Sequence, residues 1–565
     1  MPAVGWLRDY GREDLARDFS AALVITVMLV PQSMAYALLA GLPPIYGLYA
    51  STVPAIVYAL FGTSRHMPVG PPALMALLTF TSVSAITAPG SEEYIGYVLL
   101  LALMVGVVQL ALGLLKMGFL TNFISHPVLS GFIYASAVII ALSQVKHFLG
   151  IPGSEDHSTP GMVVAIVNQI GDTNWIPLAI GLLSIAAIVL IGRFLPRLPG
   201  PLIAVVAATI AVYLLSLDGR GVAVVGEVPR GLPRLSVPTI NFEVARTLMP
   251  AALIVAFVGF IESISVAKAI ATREKYKIDA NQELRALGLA NLGAAFFSGF
   301  PVAGSFSRTA VQYQSGGRTQ MASIITALMV VATLLVLTPL FYYLPNSALA
   351  AVIVVAVYKL LDFREARYIF EIRGSDGLTL LITFSVTLLV GVEQGIIIGA
   401  AFALLAFIRR TAYPQVAQLG YVEEEDTFKG LRSYPEAKTF PEALILRFDA
   451  RLYFANIPFL EEYLISEVPN HPDLRYVIID SRGINDIDVT ALEGLESLIS
   501  EYQARDVHIL FTHMKKPVRE RLRKSGWLQK FGDICYPTTR EALQNLGLLK
   551  ERESGGPGAH SPASG

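Results

Sequence analysis

The sequence predicts an α-helical polytopic membrane protein of fourteen segments, arranged as a 7+7 inverted repeat with two half-helices and followed by a soluble α/β domain. Three observations predict it. The 565 residues are 54% hydrophobic and only 15% charged, whereas an average soluble domain carries about a quarter charged residues. Two apolar stretches, "RHMPVGPPAL" at Arg65–Leu74 and "GFPVAGSFSRTAV" at Gly299–Val311, break their helices with proline and glycine in matching places. After Arg410 the composition turns polar, with alternating strand-like and helix-like runs.

The first segments enter hydrocarbon without a charge penalty. Ser20–Ser64 holds no Asp, Glu, Lys or Arg, and the next charge after Arg65 is Glu92, so Phe19–Leu39 reads as a spanning helix. Its apolar run is too long for a signal-peptide core, and further spans follow at once. Apolar runs of spanning length recur at 46–62, 94–115, 126–145, 175–194, 201–217, 249–271, 283–298, 320–342, 347–361, 375–391 and 393–411. Two shorter pieces, 71–85 and 305–314, start at the breaks.

An even count puts both termini on one side of the bilayer. Arg65, Lys116, Arg193 with Arg197, Lys268–Arg285, and Arg364, Arg367 and Arg373 fall on alternate connections, which the positive-inside rule makes cytoplasmic. "GLPPIYG", "TAPGSEEY" and "YYLPNS" between them carry no Lys or Arg. The long connection 217–247 places four arginines outside, and long loops obey the rule poorly. Residues 1–18 form a cytoplasmic N-terminal segment, 19–411 the membrane domain, 412–439 a linker, 440–549 the α/β domain and 550–565 a tail disordered by composition. Within the α/β domain, "EALILRFDARLYFAN", "LRYVIIDSRG" and "VHILFTHM" read as strands, and "DVTALEGLESLISEYQAR", "PVRERLRKSGW" and "TTREALQNLG" as helices.

Each break follows two spans, so the chain reads as two copies of seven segments, and an odd number inverts the second copy. An unpaired amide in hydrocarbon costs several kcal/mol, so non-helical backbone survives only inside protein or beside a wet cavity. Two equivalent breaks imply one shared cavity. The helices restarting after Gly70 and Gly304 then aim their N-termini, each carrying about half a positive charge, at that cavity and attract an anion. The plainer alternative is that proline and glycine merely kink two ordinary spans.

"PQSMAYALLAGLPPIYGLYAS", "FGTSRHMPVGPPALMALL", "NLGAAFFSGFPVAGSFSRTAV" and "GVEQGIIIGAAFALL" resemble the sulfate permease (SulP) family, the solute carrier 26 group of anion transporters. The C-terminal domain resembles its STAS domain, and the likeness runs from about residue 10 to 549. The resemblance implies a core domain that carries substrate, a gate domain that supports it, a homodimer, and elevator-like movement of sulfate, bicarbonate, chloride, iodide, oxalate or C4-dicarboxylates. It implies no cofactor.

Gln32 and Tyr36 share a face of the first span and, with Ser33, offer amide and hydroxyl donors to an oxyanion. The alternative is that they only pack. Pro31 is expected to loosen the backbone beside them. Ser305 and Ser307 offer hydroxyls beside the second half-helix; the resemblance adds Phe306 as a wall of the pocket and Pro72 and Ala73 as the opening of the other half-helix. Proline at 72 departs from the aromatic or small residue common in relatives. Arg308 either supplies a positive charge to the cavity or ties a carboxylate or backbone carbonyl at its edge.

Glu262 is the only charge between Arg246 and Lys268. A carboxylate at that depth is costly unless paired or protonated, which makes it the candidate coupling residue for protons, or for sodium as the resemblance allows. A permanent ion pair with Arg308 or Lys268 is the alternative. Glu393 reads as a structural acid, and His66 as a pH sensor or a satisfied loop histidine. In "INDIDVTALEGL", Thr490 resembles the phosphorylatable position of anti-sigma antagonists, or caps its helix.

The expected partners are an inorganic or small organic anion, the coupling ion, the lipid bilayer of the plasma (inner) membrane, a second copy of the chain and a cytoplasmic partner of the STAS domain. A net charge of −1 argues against nucleic acid, and a lone Cys535 against disulfides and cysteine metal clusters. No Walker sequence, metal spacing or nucleophile–base pairing points to an enzyme. The leading expectation is proton-coupled sulfate uptake, with a bicarbonate or dicarboxylate carrier, or an anion exchanger, next. A membrane-tethered signalling protein is the reading from another class, and it leaves both breaks and Glu262 without a purpose.

Overall fold

The computed structural model describes residues 2–8, 10–122, 125–152, 158–195 and 198–550. Arg197 and the tail from 551 onward lie outside these residues. The chain divides into two compact units, Met1–Ala403 and Leu404–Gly565.

Among the described residues of the whole chain, seven helices are long and apolar enough to cross a bilayer, Arg12–Leu39, Glu92–Leu114 and His126–Leu149 being the first three. Shorter apolar helices such as Ala73–Ser84, Gly200–Leu215 and Met321–Val336 lie between them. Local signals start several of these helices. Ser91 accepts from Tyr94 N, Asn241 from Glu243 N and Asp279 from Asn281 N and Gln282 N, so each cap satisfies amides that the first turn leaves over. Leu182, Leu183, Leu404, Leu405 and Phe407 are exposed, as lipid-facing positions are.

The span expected at 46–62 is two short helices, Ile45–Ala50 and Val53–Phe61. Pro31 does not loosen its helix as expected: Arg12–Leu39 is continuous through it. Val30 through Ser33 are buried, and Ser33 Oγ donates to Val30 O at 3.1 Å. Packing and a hydroxyl support the backbone that proline alone would weaken.

The two repeats are locked by a glycine crossing. A Cβ on Gly288 would stand 2.6 Å from Leu110 N, and one on Gly106 would stand 2.9 Å from Gly288 O. Helices Glu92–Leu114 and Ala280–Phe296 therefore approach backbone to backbone, which only small residues permit.

The C-terminal unit is built on a six-stranded sheet ordered Thr427–Gly430, Val416–Val422, Ala443–Phe448, Tyr476–Asp480, His508–Thr512 and Cys535–Tyr536. The first two strands pair antiparallel and the last four parallel, with Leu444 opposite Val477 and Val477 opposite Ile509. Leu444, Val477 and Ile509 face one core, while Ile445, Ile478 and Leu510 face another with Leu543. Burial on both faces explains the unbroken apolar runs of these strands. The stretch 412–439, expected as a linker, contributes the hairpin Val416–Gly430 to the sheet edge.

Candidate functional site between two half-helices

Both breaks become short extended segments that pair with each other. Val69 lies opposite Gly304 and Gly70 opposite Ala303, in antiparallel register. An antiparallel pair of equivalent strands has a local two-fold axis, as an inverted repeat requires. At Gly304 the chains lie close enough that a Cβ would stand 2.3 Å from Met67 Sδ, so any larger residue would have to displace that side chain. The half-helices Ala73–Ser84 and Phe306–Gln314 start three and two residues beyond the pair. At about 3.3 Å per extended residue, each tip lies within roughly 10 Å of the joint.

The interrupted backbone is satisfied by side chains from neighbouring segments. Asn291 accepts from Val302 N at 2.8 Å through Oδ1 and donates to Val302 O at 3.1 Å. Ser263 Oγ accepts from Gly304 N at 2.8 Å and donates to Gly259 O at 2.6 Å. On the other break, Gln320 Nε2 donates to Ser64 O at 2.7 Å and to Met67 O at 2.9 Å. Arg308 serves both: Nη1 donates to Pro71 O at 2.8 Å, and Nη2 lies 3.5 Å from Ala303 O. With 1% exposure, it is the largest fully buried side chain among the described residues. Of the two roles open to Arg308, the tie to backbone carbonyls is the contact observed; its charge sits at the joint itself.

Neither half-helix receives a side-chain cap. Pro72 and Ser305 hold the cap positions in extended conformation without a capping hydrogen bond. The first-turn amides therefore keep their donor capacity for a ligand. Helices Arg12–Leu39 and Phe242–Arg273 both pack against the two half-helices, which brings Gln32, Tyr36 and Glu262 to the same region. Gln32 and Tyr36 are each 5% exposed, and Gln32 Oε1 has no hydrogen-bond partner in the protein. Glu262 is partly buried, its Oε2 sealed and unpartnered, and among the described residues it forms no ion pair. It and Tyr36 lie within electrostatic reach of Arg308. Lys268 is exposed.

Pro72, Ala73 and Ser305 are buried, whereas Ser307 and Phe306 are exposed, Phe306 by 46%. Ser305 Oγ and Ser307 Oγ lie 3.1 Å apart. The second tip is thus open on one side. His66 is held by Tyr276, with Nδ1 3.3 Å from Oη, and Glu393 Oε1 accepts from Ser82 Oγ at 3.0 Å at the far end of the first half-helix. In the C-terminal unit Thr490 is exposed in the first turn of Val489–Gln503, and Asp488, not Thr490, caps that helix through Ala491 N at 2.8 Å.

Sequence reading did not single out Asn291, Gln109, Ser263, Gln320 or Glu283. Their signal was available as buried polar side chains within or next to apolar segments, which need partners there.

The family profile described as "Sulfate permease family" matches residues 15–383, and that described as "STAS domain" matches 434–542. The chain is 36% identical to the chloroplastic sulfate transporter 4.1 of Arabidopsis thaliana over 96% of its own length and 82% of the relative's. It is 35% identical to a probable sulfate transporter of Mycobacterium tuberculosis, covering 96% and 98% of the two chains. Its fold superposes on the murine solute carrier 26 family member A9 anion transporter in the inward-facing state, with TM-score 0.88, 25% identity and coverage of 97% and 94%. The transmembrane domain of the cyanobacterial bicarbonate transporter BicA shares the fold at TM-score 0.61 and 22% identity, covering 70% of this chain and 98% of that domain. Paired half-helices, a series of apolar helices and a C-terminal α/β sheet agree with these matches, and the chain belongs to the sulfate permease family.

Proposed function

We propose that the chain is a secondary active transporter that carries sulfate inward together with protons. The observation that carries this reading is the joint itself: two uncapped half-helices start beside one antiparallel pair, next to Gln32, Tyr36 and Glu262. An oxyanion is bound by first-turn amides of Ala73 and Phe306, by the hydroxyls of Tyr36, Ser305 and Ser307 and by the Gln32 amide, within the field of Arg308. Pro72 and Phe306 shape its walls. The sulfate transporters among its relatives favour sulfate over bicarbonate and dicarboxylates as the substrate of this chain.

Glu262 couples the ion. Uncharged, it does not repel the incoming anion; charged, it favours release, so proton and anion travel together. The relatives are transporters, and the chain is no enzyme. Residues 19–411 form the transport domain, whose breaks move as one body in an elevator-like step, and 440–549 form the STAS domain. The protein acts as a homodimer in the plasma (inner) membrane with termini and STAS domain cytoplasmic, and phosphorylation at Thr490 places a phosphate beside Asp488, which loosens that cap by repulsion.

Radiolabelled sulfate uptake into proteoliposomes with acid outside tests the core of this reading. Accumulation that collapses with the proton gradient, and is blocked by selenate but not by fumarate or bicarbonate, is expected. Accumulation driven by sodium alone, or competed only by bicarbonate, would contradict it.

A further inference from the structure

One helix holds both breaks. Near the start of Ala280–Phe296, the fully buried Glu283 accepts from Tyr58 Oη, Thr63 N and Thr63 Oγ1, each at 2.6 Å, and from Ser64 N at 3.2 Å. Its neighbour Gln282 donates to Phe61 O at 2.9 Å. These contacts fasten the chain that leads into the first break. Eight residues on, about 12 Å along the axis, Asn291 grips Val302 by both its N–H and its carbonyl, immediately before the second break.

The Asn291 amide is fixed from behind. Nδ2 also donates to Gln109 Oε1 at 3.0 Å and to Leu287 O at 3.1 Å, and Gln109 Nε2 donates to Ala256 O at 3.0 Å on the helix that carries Glu262. A flipped amide would set its oxygen against three acceptors, so one orientation is imposed. Asn291 is 0% exposed and Gln109 1% exposed; neither touches an anion in the cavity. What they hold is the place where the second half-helix begins. The backbone crossing at Gly106 and Gly288 keeps this helix from shifting as a whole.

We propose that helix Ala280–Phe296 is the spacer that sets the separation of the two half-helix tips, and that Asn291 is a positioning residue deciding which size of oxyanion fits between them. The size-selection half of this rests on the transport reading above; the spacer half does not. Glu283 anchors the chain that leads into the first break and Asn291 the residue before the second, so the distance between them along one rigid helix is read out as the gap. Loss of the Asn291 grip leaves Val302 without its partners and lets the second tip drift, which widens the gap and relaxes the preference for a compact tetrahedral anion.

Two measurements on the full-length protein test this, using Asn291→Ala and the milder Gln109→Leu, which removes only the strut behind the amide. In proteoliposomes, the ratio of half-inhibitory oxalate to half-inhibitory selenate against sulfate uptake is independent of how much protein is active. It is expected to move about tenfold toward oxalate for Asn291→Ala and less for Gln109→Leu. In a Cys535→Ser background, spin labels at Ala85→Cys, just past the end of the first half-helix, and at Gln314→Cys, the last residue of the second, are expected to give a longer or broader distance distribution in both variants. A folded, transporting variant with the wild-type ratio overturns the size-selection claim. An unchanged label distance overturns the spacer. If Asn291→Ala does not fold, Gln109→Leu decides both. If the unmutated protein takes up no anion, the transport reading falls, and the label distance still decides the spacer.

Discussion

Arg308→Ala is expected to lower sulfate uptake about a hundredfold, since a hydrogen bond from a charged group is worth about 1.5–3 kcal/mol and the positive charge at the joint is lost with it. Pro71 O and Ala303 O belong to the two segments that meet at the joint. Without the guanidinium, Pro71 O loses its donor in a water-poor interior, and the positive field beside both tips disappears. Arg308→Lys keeps the charge but not the fork, so one ammonium cannot reproduce the same geometry at both carbonyls; its uptake is expected to fall by about tenfold. Uptake and the melting temperature of the detergent-solubilised protein separate the two losses: Arg308→Ala lowers both, and Arg308→Lys lowers uptake more than stability. A folded Arg308→Ala protein transporting within about twofold of the unmutated chain would show that the joint does not need this residue.

Glu262→Gln is expected to uncouple transport from the proton gradient while leaving the pocket's shape intact. The amide occupies the same space but does not titrate. For one proton per anion, the driving force changes up to about tenfold per pH unit, so the unmutated protein accumulates more sulfate as the outside becomes more acid. In the Gln variant that dependence flattens and concentrative uptake is lost, while exchange of external for internal sulfate persists. The geometry supports a switch over a fixed pair, because Glu262 Oε2 has no partner and no ion pair to Glu262 forms among the described residues. A Gln variant whose uptake follows external pH as the unmutated protein does would remove Glu262 from the coupling step.

What could be read from the chain alone depends on which forces write themselves into local sequence. Charge-free runs and the composition change after Arg410 are dictated by the bilayer and are readable directly. So are the breaks, because Pro68, Gly70, Pro301 and Gly304 stand within apolar sequence, where a broken helix must be sheltered by protein or water. That these breaks pair with each other strand to strand depends on contacts more than two hundred residues apart in the chain, between Val69–Gly70 and Ala303–Gly304, and no local pattern carries it.

The same distance hid the residues that hold the joint. Asn291 meets Gln109, Glu283 meets Tyr58 and Gln320 meets Ser64; each looks ordinary until its partner is known. Arg308 was visible, but its bond to Pro71 O, 237 residues away in the chain, was not. Pro31 misled because helix propensity is local, whereas the burial of Val30 to Ser33 and the Ser33 hydroxyl that outweigh it are tertiary. In the C-terminal unit the acidic run "EEED" concealed a hairpin, since its charges occupy the turn between Val416–Val422 and Thr427–Gly430 rather than a linker.

The central claim, that two half-helix tips hold the anion together, is tested most directly by the anomalous scattering of selenate in crystals of the transport-competent protein. A selenium peak between the first-turn amides of Ala73 and Phe306, within reach of Tyr36 and Ser305 and absent when sulfate replaces selenate, is the predicted result. A peak elsewhere, with the space between the tips closed by apolar side chains, would contradict it.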